Sequence, residues 1–199
     1  MMYKGDKMRI NTKKLIINLL LLFTFTALLP TNFVHAASKS KNVYVNPAPT
    51  KSVNQGNSNW CWAASISNVN KILNGKYIPL NKVVEYGKTT NLKKPITNTP
   101  RAEAGSANDI KRALNRLNIK YQYKQSSLTF NQIMKEIDAG RPILVAKRTH
   151  ALTIVGYNKS NETVIFLDSN RSDRRVASYK DFKSSNFYGS WAHTFYNLR

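Results

Sequence analysis

The sequence predicts an α+β domain in which most helices precede most strands. Apolar residues recur at helical spacing in three segments between residues 61 and 137. From residue 143 onwards they occur in short runs bounded by turn residues, which is typical of strands. Capping boxes at Ser106 and Thr129 mark the starts of two helices. A change from helices to strands along the chain favours two halves in one domain, with a cleft between them as a common location for a site.

The first 36 residues are predicted to be a secretory signal peptide. A basic segment at residues 4–14 precedes an almost unbroken apolar run at residues 15–29, which Pro30 ends. Residues 34–36 then supply the small-x-small pattern of a cleavage site. The apolar run is shorter than the roughly 20 residues that a helix needs to span a bilayer. An uncleaved N-terminal anchor is the alternative interpretation.

The charge of the chain is strongly positive. The net charge is +21, and removal of residues 1–36 leaves +17 on 163 residues. That length suffices for one core, and we expect an extended polar arm at residues 37–54 before a folded domain at residues 55–199. A cationic surface attracts anionic cell-wall polymers or other acidic surfaces. We expect a secreted, extracellular monomer with no stable membrane insertion and no dedicated nucleic-acid role.

The first strong helix is predicted to begin at Asn59 or Cys61. Ser58 or Asn59 can cap its start, and Gly75 lies where a glycine ends many helices. The apolar face of this helix consists of Trp62, Ile66, Val69 and Leu73. A short second helix follows at residues 79–87.

The middle of the chain alternates loops, helices and one strand. Residues 88–105 contain prolines and polar residues and are predicted to form a long loop. Helices follow Ser106 and Thr129, and alternating apolar residues at 119–123 predict a strand between them.

The last third of the chain is predicted to be mainly strands. A buried run at residues 143–146 precedes segments 151–157 and 163–167, which we expect to pair as a hairpin. Weaker strand signals occur at residues 178–182 and 191–196.

The single cysteine, Cys61, is the first candidate for chemistry. It has no partner for an internal disulfide, and it lies at a predicted helix start, where the macrodipole favours a thiolate. A buried structural cysteine is the alternative. Only His150 and His193 follow the predicted signal peptide. We expect His193 to have a structural role within its weak strand.

His150 and Asp168 can complete the chemistry of such a thiol. His150 opens one strand of the predicted hairpin and Asp168 ends the other, so pairing brings the two side chains together. A carboxylate that accepts from one ring nitrogen fixes the tautomer and leaves the other nitrogen for the thiol. Gln55, six residues before Cys61, can donate an N–H to a developing oxyanion beside the Cys61 backbone N–H.

Three segments carry these residues, namely Gln55-x5-Cys61-Trp62-Ala63-Ala64-Ser65, then His150-Ala151-Leu152-x-Ile154-x-Gly156-Tyr157, then Leu167-Asp168. Together they resemble the papain-like cysteine peptidases over about residues 53–199. The resemblance is greatest to the compact bacterial C39-like branch, which includes AvrRpt2-type secreted proteases, and the staphopains are more distant.

This resemblance implies the papain-like fold, with a helical N-terminal half, an antiparallel sheet in the C-terminal half and the active-site cleft between them. It implies that Cys61 is the nucleophile and His150 the general base and acid. Asp168 would orient the histidine, and Gln55 would be the oxyanion donor. The implied reaction is hydrolysis of a protein or peptide substrate through an acyl-enzyme, without a cofactor.

Other functions stay open. A metal site is not expected, because Cys61, His150, His193 and Asp168 lack the short ligand spacing of metal sites. Other acyl transfers, by a cell-wall amidase or endopeptidase or by a transglutaminase, also use a cysteine followed by a histidine. A cationic binding protein or toxin without turnover is the alternative outside the enzymes.

Overall fold

The computed structural model describes residues 41–88 and 105–199. The helices of these residues are α1 (Cys61–Asn74), α2 (Leu80–Gly87), α3 (Ala107–Arg116), α4 (Phe130–Asp138) and α5 (Tyr179–Lys183). Their strands are β1 (Asn42–Tyr44), β2 (Gln122–Lys124), β3 (Ile143–Lys147), β4 (Ala151–Asn158), β5 (Thr163–Asp168), β6 (Asp173–Ser178) and β7 (Trp191–Tyr196). The predicted α+β class is therefore confirmed.

The seven described strands form one sheet with antiparallel pairs, in the order β2-β7-β3-β4-β5-β6. Strand β1 also pairs with β4, alongside residues 156–158, whereas β3 pairs with the beginning of β4. This pairing needs Gly156, because a Cβ atom there would lie 2.6 Å from the carbonyl oxygen of Val43. The glycine of the His-Ala-x-x-Ile-x-Gly-Tyr segment thus has a structural reason, and part of the polar arm belongs to the sheet.

Two hydrophobic clusters are separated by the sheet. Successive side chains of a strand point to opposite faces, and β3 sends Leu144 to one cluster and Ile143 and Val145 to the other. The Leu144 side packs against α1, α2 and α3, whereas the opposite side packs against α4. Strand β3 is consequently covered on both faces.

Helix α1 is buried along most of its length, including its polar residues. Ser67 bonds both the carbonyl and the N–H of Ile78, and Asn68 accepts from the backbone N–H of Val53. Since buried polar groups are costly without partners, these bonds hold the flanking segments against the helix. Thr153 of β4 donates to the carbonyl of Ser65 across 3.3 Å and links the helix to the sheet.

Most predicted helix boundaries are confirmed, including Gly75 and both capping boxes. The predicted cap of α1 is wrong, because its N-cap is Trp60 and no side chain caps it. The predicted strand at 178–182 is also wrong. Ser178 ends β6 and is the N-cap of α5, where its side chain accepts from the N–H of Asp181. Nearly all of the predicted 88–105 loop lies outside the described residues.

Strand β6 was missed because it carries no buried face. It is an edge strand whose residues are exposed or half-buried, so the alternation that reveals a strand is absent. Within residues 41–88 and 105–199, no helix has the length and apolar character needed to cross a membrane.

Candidate active site

Cys61 is the first residue of α1 and lies in a cleft of about 330 Å³. It is partly exposed, whereas the next nine residues of the helix are buried. The cleft lining includes Gln55, Cys61, Lys147, Arg148, His150 and Asn170. The thiol is therefore accessible at the positive end of a helix that the core holds rigidly.

The β4–β5 hairpin places Asp168 beside His150. The hairpin pairs Thr153 with Leu167, so the residue before β4 and the last residue of β5 lie at the same end. Nε2 of His150 lies 2.9 Å from Oδ1 of Asp168, and both side chains are almost fully buried. Because the carboxylate accepts, Nε2 carries the proton that it donates.

The Cys61 thiol interacts with the same imidazole. Cys61 and His150 line the same cleft and interact electrostatically, and Nδ1 is the ring nitrogen that Asp168 leaves available. Burial alone lowers the pKa of His150, but the hydrogen bonds and charges of Asp168 and Cys61 outweigh it and raise the pKa to about 9. The ring is thus an imidazolium at neutral pH, which is the partner that stabilises a cysteine thiolate.

Asp168 is held by several donors. Oδ1 also accepts from the backbone N–H of Asn170 across 3.0 Å, and Oδ2 accepts from the hydroxyl of Tyr188 across 2.8 Å. Arg175 lies 3.7 Å from Oδ2. Burial raises the pKa of Asp168, but the bonds from His150 and Tyr188 and the charge of His150 bring it below its usual value. The side chain is a carboxylate that can orient and stabilise the imidazolium.

Gln55 lies at the same cleft, with only 9% of its surface exposed. Its Nε2 donates to the carbonyl of Ser58 across 2.7 Å, and its Oε1 accepts from the hydroxyl of Ser169 across 2.7 Å. An amide nitrogen carries two N–H donors. Within the described chain the amide nitrogen of Gln55 bonds this one acceptor, which leaves its second N–H unused.

His193 occupies a different environment. Its Nδ1 is 2.8 Å from the hydroxyl of Tyr123, and the two rings are stacked at 5.8 Å. Burial and the nearby charge of Lys111 lower the pKa of His193. His193 does not line the cleft, and it is His150 that interacts with Cys61.

Two residues of the site were not found from the sequence. Ser169 follows Asp168 and belongs to none of the motifs in the sequence, although it bonds Gln55. Tyr188 lies in a segment without periodicity, and no sequence signal connects it with Asp168. In the part of the chain that the structure describes, no group of three or more His, Cys, Asp or Glu side chains could hold a metal ion.

The helices and the antiparallel sheet form the α+β fold of a papain-like cysteine peptidase. The family model described as "Peptidase_C39 like family" matches residues 48–197, and the chain belongs to this family.

A solved structure supports the fold assignment. The peptidase domain of Streptococcus ComA, a bifunctional ABC transporter involved in a quorum-sensing pathway, matches with a TM-score of 0.54. The match covers 75% of this chain and 98% of that domain at 18% sequence identity, a likeness that concerns the fold. No curated protein matches the sequence.

Proposed function

We propose that the chain is a secreted cysteine endopeptidase that hydrolyses protein or peptide substrates through Cys61, His150, Asp168 and Gln55. One observation carries this proposal. His150 lines the same cleft as Cys61, interacts with it electrostatically, and lies 2.9 Å from the buried carboxylate of Asp168. Membership of the peptidase family supports the same reaction.

The reaction follows from these positions. The Cys61 thiolate attacks a peptide carbonyl, and the resulting oxyanion accepts from the free N–H of Gln55 and the backbone N–H of Cys61. The C–N bond breaks as His150 transfers its proton to the leaving amine, which leaves an acyl-enzyme. His150 then removes a proton from water, the hydroxide attacks the thioester, and the thiolate leaves with the carboxylic product released.

The direct test uses protein, cell-wall and amine-transfer substrates side by side, in a reducing buffer. We expect the protein substrate to be cleaved, with Cys61→Ala and His150→Ala inactive and His193→Ala close to wild type. Hydrolysis of cell-wall material alone, or amine transfer, would replace the proposal with another acyl transfer. Binding without turnover of any substrate would favour a cationic binding protein.

Secretion is the second part of the proposal. Removal of residues 1–36 would produce a mature chain that begins near Ala37 with a net charge of +17, suited to an anionic extracellular setting. Intact-mass measurement of the exported protein tests the cleavage site. Export with residues 1–36 still attached would contradict it. Kinship with the AvrRpt2-type branch stays a prediction.

A further inference from the structure

We propose that Tyr188 is a positioning residue of the active site, which aims the Asp168 carboxylate and shields its bond to His150. This inference rests on the proposed function and adds a residue to it. The Tyr188 hydroxyl donates to Oδ2 of Asp168 across 2.8 Å, while His150 bonds Oδ1. A carboxylate bonded through both oxygens cannot rotate away from the imidazole without breaking a bond.

The ring of Tyr188 has a second contact within the same pair. Its centroid lies 4.4 Å from that of His150, at an interplanar angle of 43°. Tyr188 therefore touches both members of the buried pair, with its hydroxyl on one and its ring on the other. A hydrogen bond kept from water is stronger, because competing solvent and a high dielectric weaken it.

The backbone holds Tyr188 at this place. Its carbonyl accepts from the N–H of Thr149 across 3.3 Å and from the Thr149 hydroxyl across 3.0 Å. The carbonyl of Ser190 accepts from the N–H of Arg148 across 3.0 Å. Residues 188–190 are thus fastened to the turn that carries His150.

The backbone at Tyr188 and Gly189 has an unfavourable conformation. Tyr188 has a φ of +56°, a region that residues with a Cβ atom rarely adopt, and Gly189 follows with a φ of +77°. A side chain at Gly189 would also meet the Cβ atom of Arg148, at 2.8 Å. Such local strain persists only where surrounding contacts enforce it, and here those contacts lead to His150 and Asp168.

Proton chemistry makes tyrosine suitable for this task. Burial and the neighbouring Asp168 charge raise the pKa of Tyr188. The hydroxyl therefore keeps its proton and remains a donor over the whole range in which a cysteine peptidase works. Because this donor is neutral, it orients the Asp168 carboxylate without neutralising its charge.

The test compares Tyr188→Phe, Tyr188→Ala and the control Tyr179→Phe. Tyr179 is also half-buried, and its hydroxyl donates to the carbonyl of Leu128 across 2.8 Å. This bond involves neither Asp168 nor His150. We expect Tyr188→Phe to lower kcat about 10-fold with little change in KM, as loss of one aiming hydrogen bond predicts. Tyr188→Ala should lose more, and Tyr179→Phe should keep the wild-type kcat.

A second readout does not depend on turnover. Exchange of the His150 Nε2 proton with water, followed by NMR of nitrogen-15-labelled protein, should be slow in wild type and Tyr188→Phe and fast in Tyr188→Ala. Equal kcat in the Tyr188→Phe and Tyr179→Phe variants would overturn the proposal, as would unchanged exchange in Tyr188→Ala. If the wild type cleaves no peptide, the proposed function fails, and the exchange measurement alone decides the role of Tyr188.

Discussion

Ser169 donates its hydroxyl proton to Oε1 of Gln55 across 2.7 Å. The backbone N–H of Gln55 donates in return to the carbonyl of Ser169, at 3.2 Å. Ser169 directly follows Asp168, so one residue connects the end of β5 with the segment that leads to Cys61. The proposed oxyanion donor and the carboxylate beside His150 are consequently held in a common frame.

This connection predicts graded effects on catalysis. Gln55→Ala should lower kcat by roughly 100-fold with little change in KM, because the contact strengthens in the transition state. Ser169→Ala should have a smaller effect of the same kind, since it frees the Gln55 amide without removing it. The control is Ser67→Ala, which removes a buried hydroxyl bonded to Ile78. Steady-state kinetics would contradict the prediction if Ser169→Ala lost no more kcat than Ser67→Ala.

The pKa values of the two histidines of the described chain should be shifted in opposite directions from the ordinary histidine value. The pKa of His150 is raised to about 9 and that of His193 is lowered from 6.5. Cys61→Ala removes one of the groups that raise the pKa of His150, so its NMR titration midpoint should fall while that of His193 stays in place. A midpoint of His150 that does not respond to Cys61→Ala would exclude the thiolate–imidazolium pair.

The proton that His150 binds also makes the stability of the folded protein depend on pH. Because the folded state holds it more tightly than the unfolded state, its contribution to the free energy of unfolding is complete below pH 6.5 and is lost as the pH rises to about 9. Turnover should decline over the alkaline part of this range, because a neutral imidazole has no proton for the leaving amine.

Replacement of Asp168 should separate two contributions to activity, namely the negative charge of the carboxylate and its orientation of the His150 ring. Asp168→Asn keeps an acceptor for His150 and should retain part of the activity, whereas Asp168→Ala should lower kcat by about 100-fold or more. The matched control is Asp181→Asn, at the exposed start of α5. Kinetics should be paired with thermal unfolding, since Asp168→Ala leaves the buried His150 without its partner. Equal activity of the Asn and Ala variants would show that orientation of the His150 ring by residue 168 contributes nothing to turnover.

Lys147 should affect stability at alkaline pH. It is 5% exposed, and its Nζ donates to the carbonyls of Phe182 and Ser184. Burial lowers its pKa from 10.5 to about 8, so the unfolded chain holds the proton more tightly. The wild type should therefore gain free energy of unfolding relative to Lys147→Met as the pH rises from about 8 to 10.5.

Urea unfolding at several pH values measures this difference. Lys159→Met, in the exposed turn between β4 and β5, is the control and should follow the wild type. Parallel curves for the wild type and Lys147→Met would contradict the lowered pKa.

The sequence was sufficient for elements with strong local signals. The spacing of apolar residues located α1, and the capping boxes located α3 and α4. The hairpin prediction brought His150 and Asp168 together, because pairing of two consecutive strands depends on little more than their lengths and the turn between them. The exposed edge strand β6 lacked such a signal and was missed.

Other contacts were decided by the tertiary structure alone. Gln55 and Ser169 are 114 residues apart in the chain, and Tyr188 is 20 residues from Asp168 with α5 between them. Periodicity, capping and turn chemistry act between residues a few positions apart, so they determine which elements form and which residues begin or end them. Which side chain meets the second oxygen of a buried carboxylate depends instead on how those elements pack, because distant segments become neighbours only when the core closes.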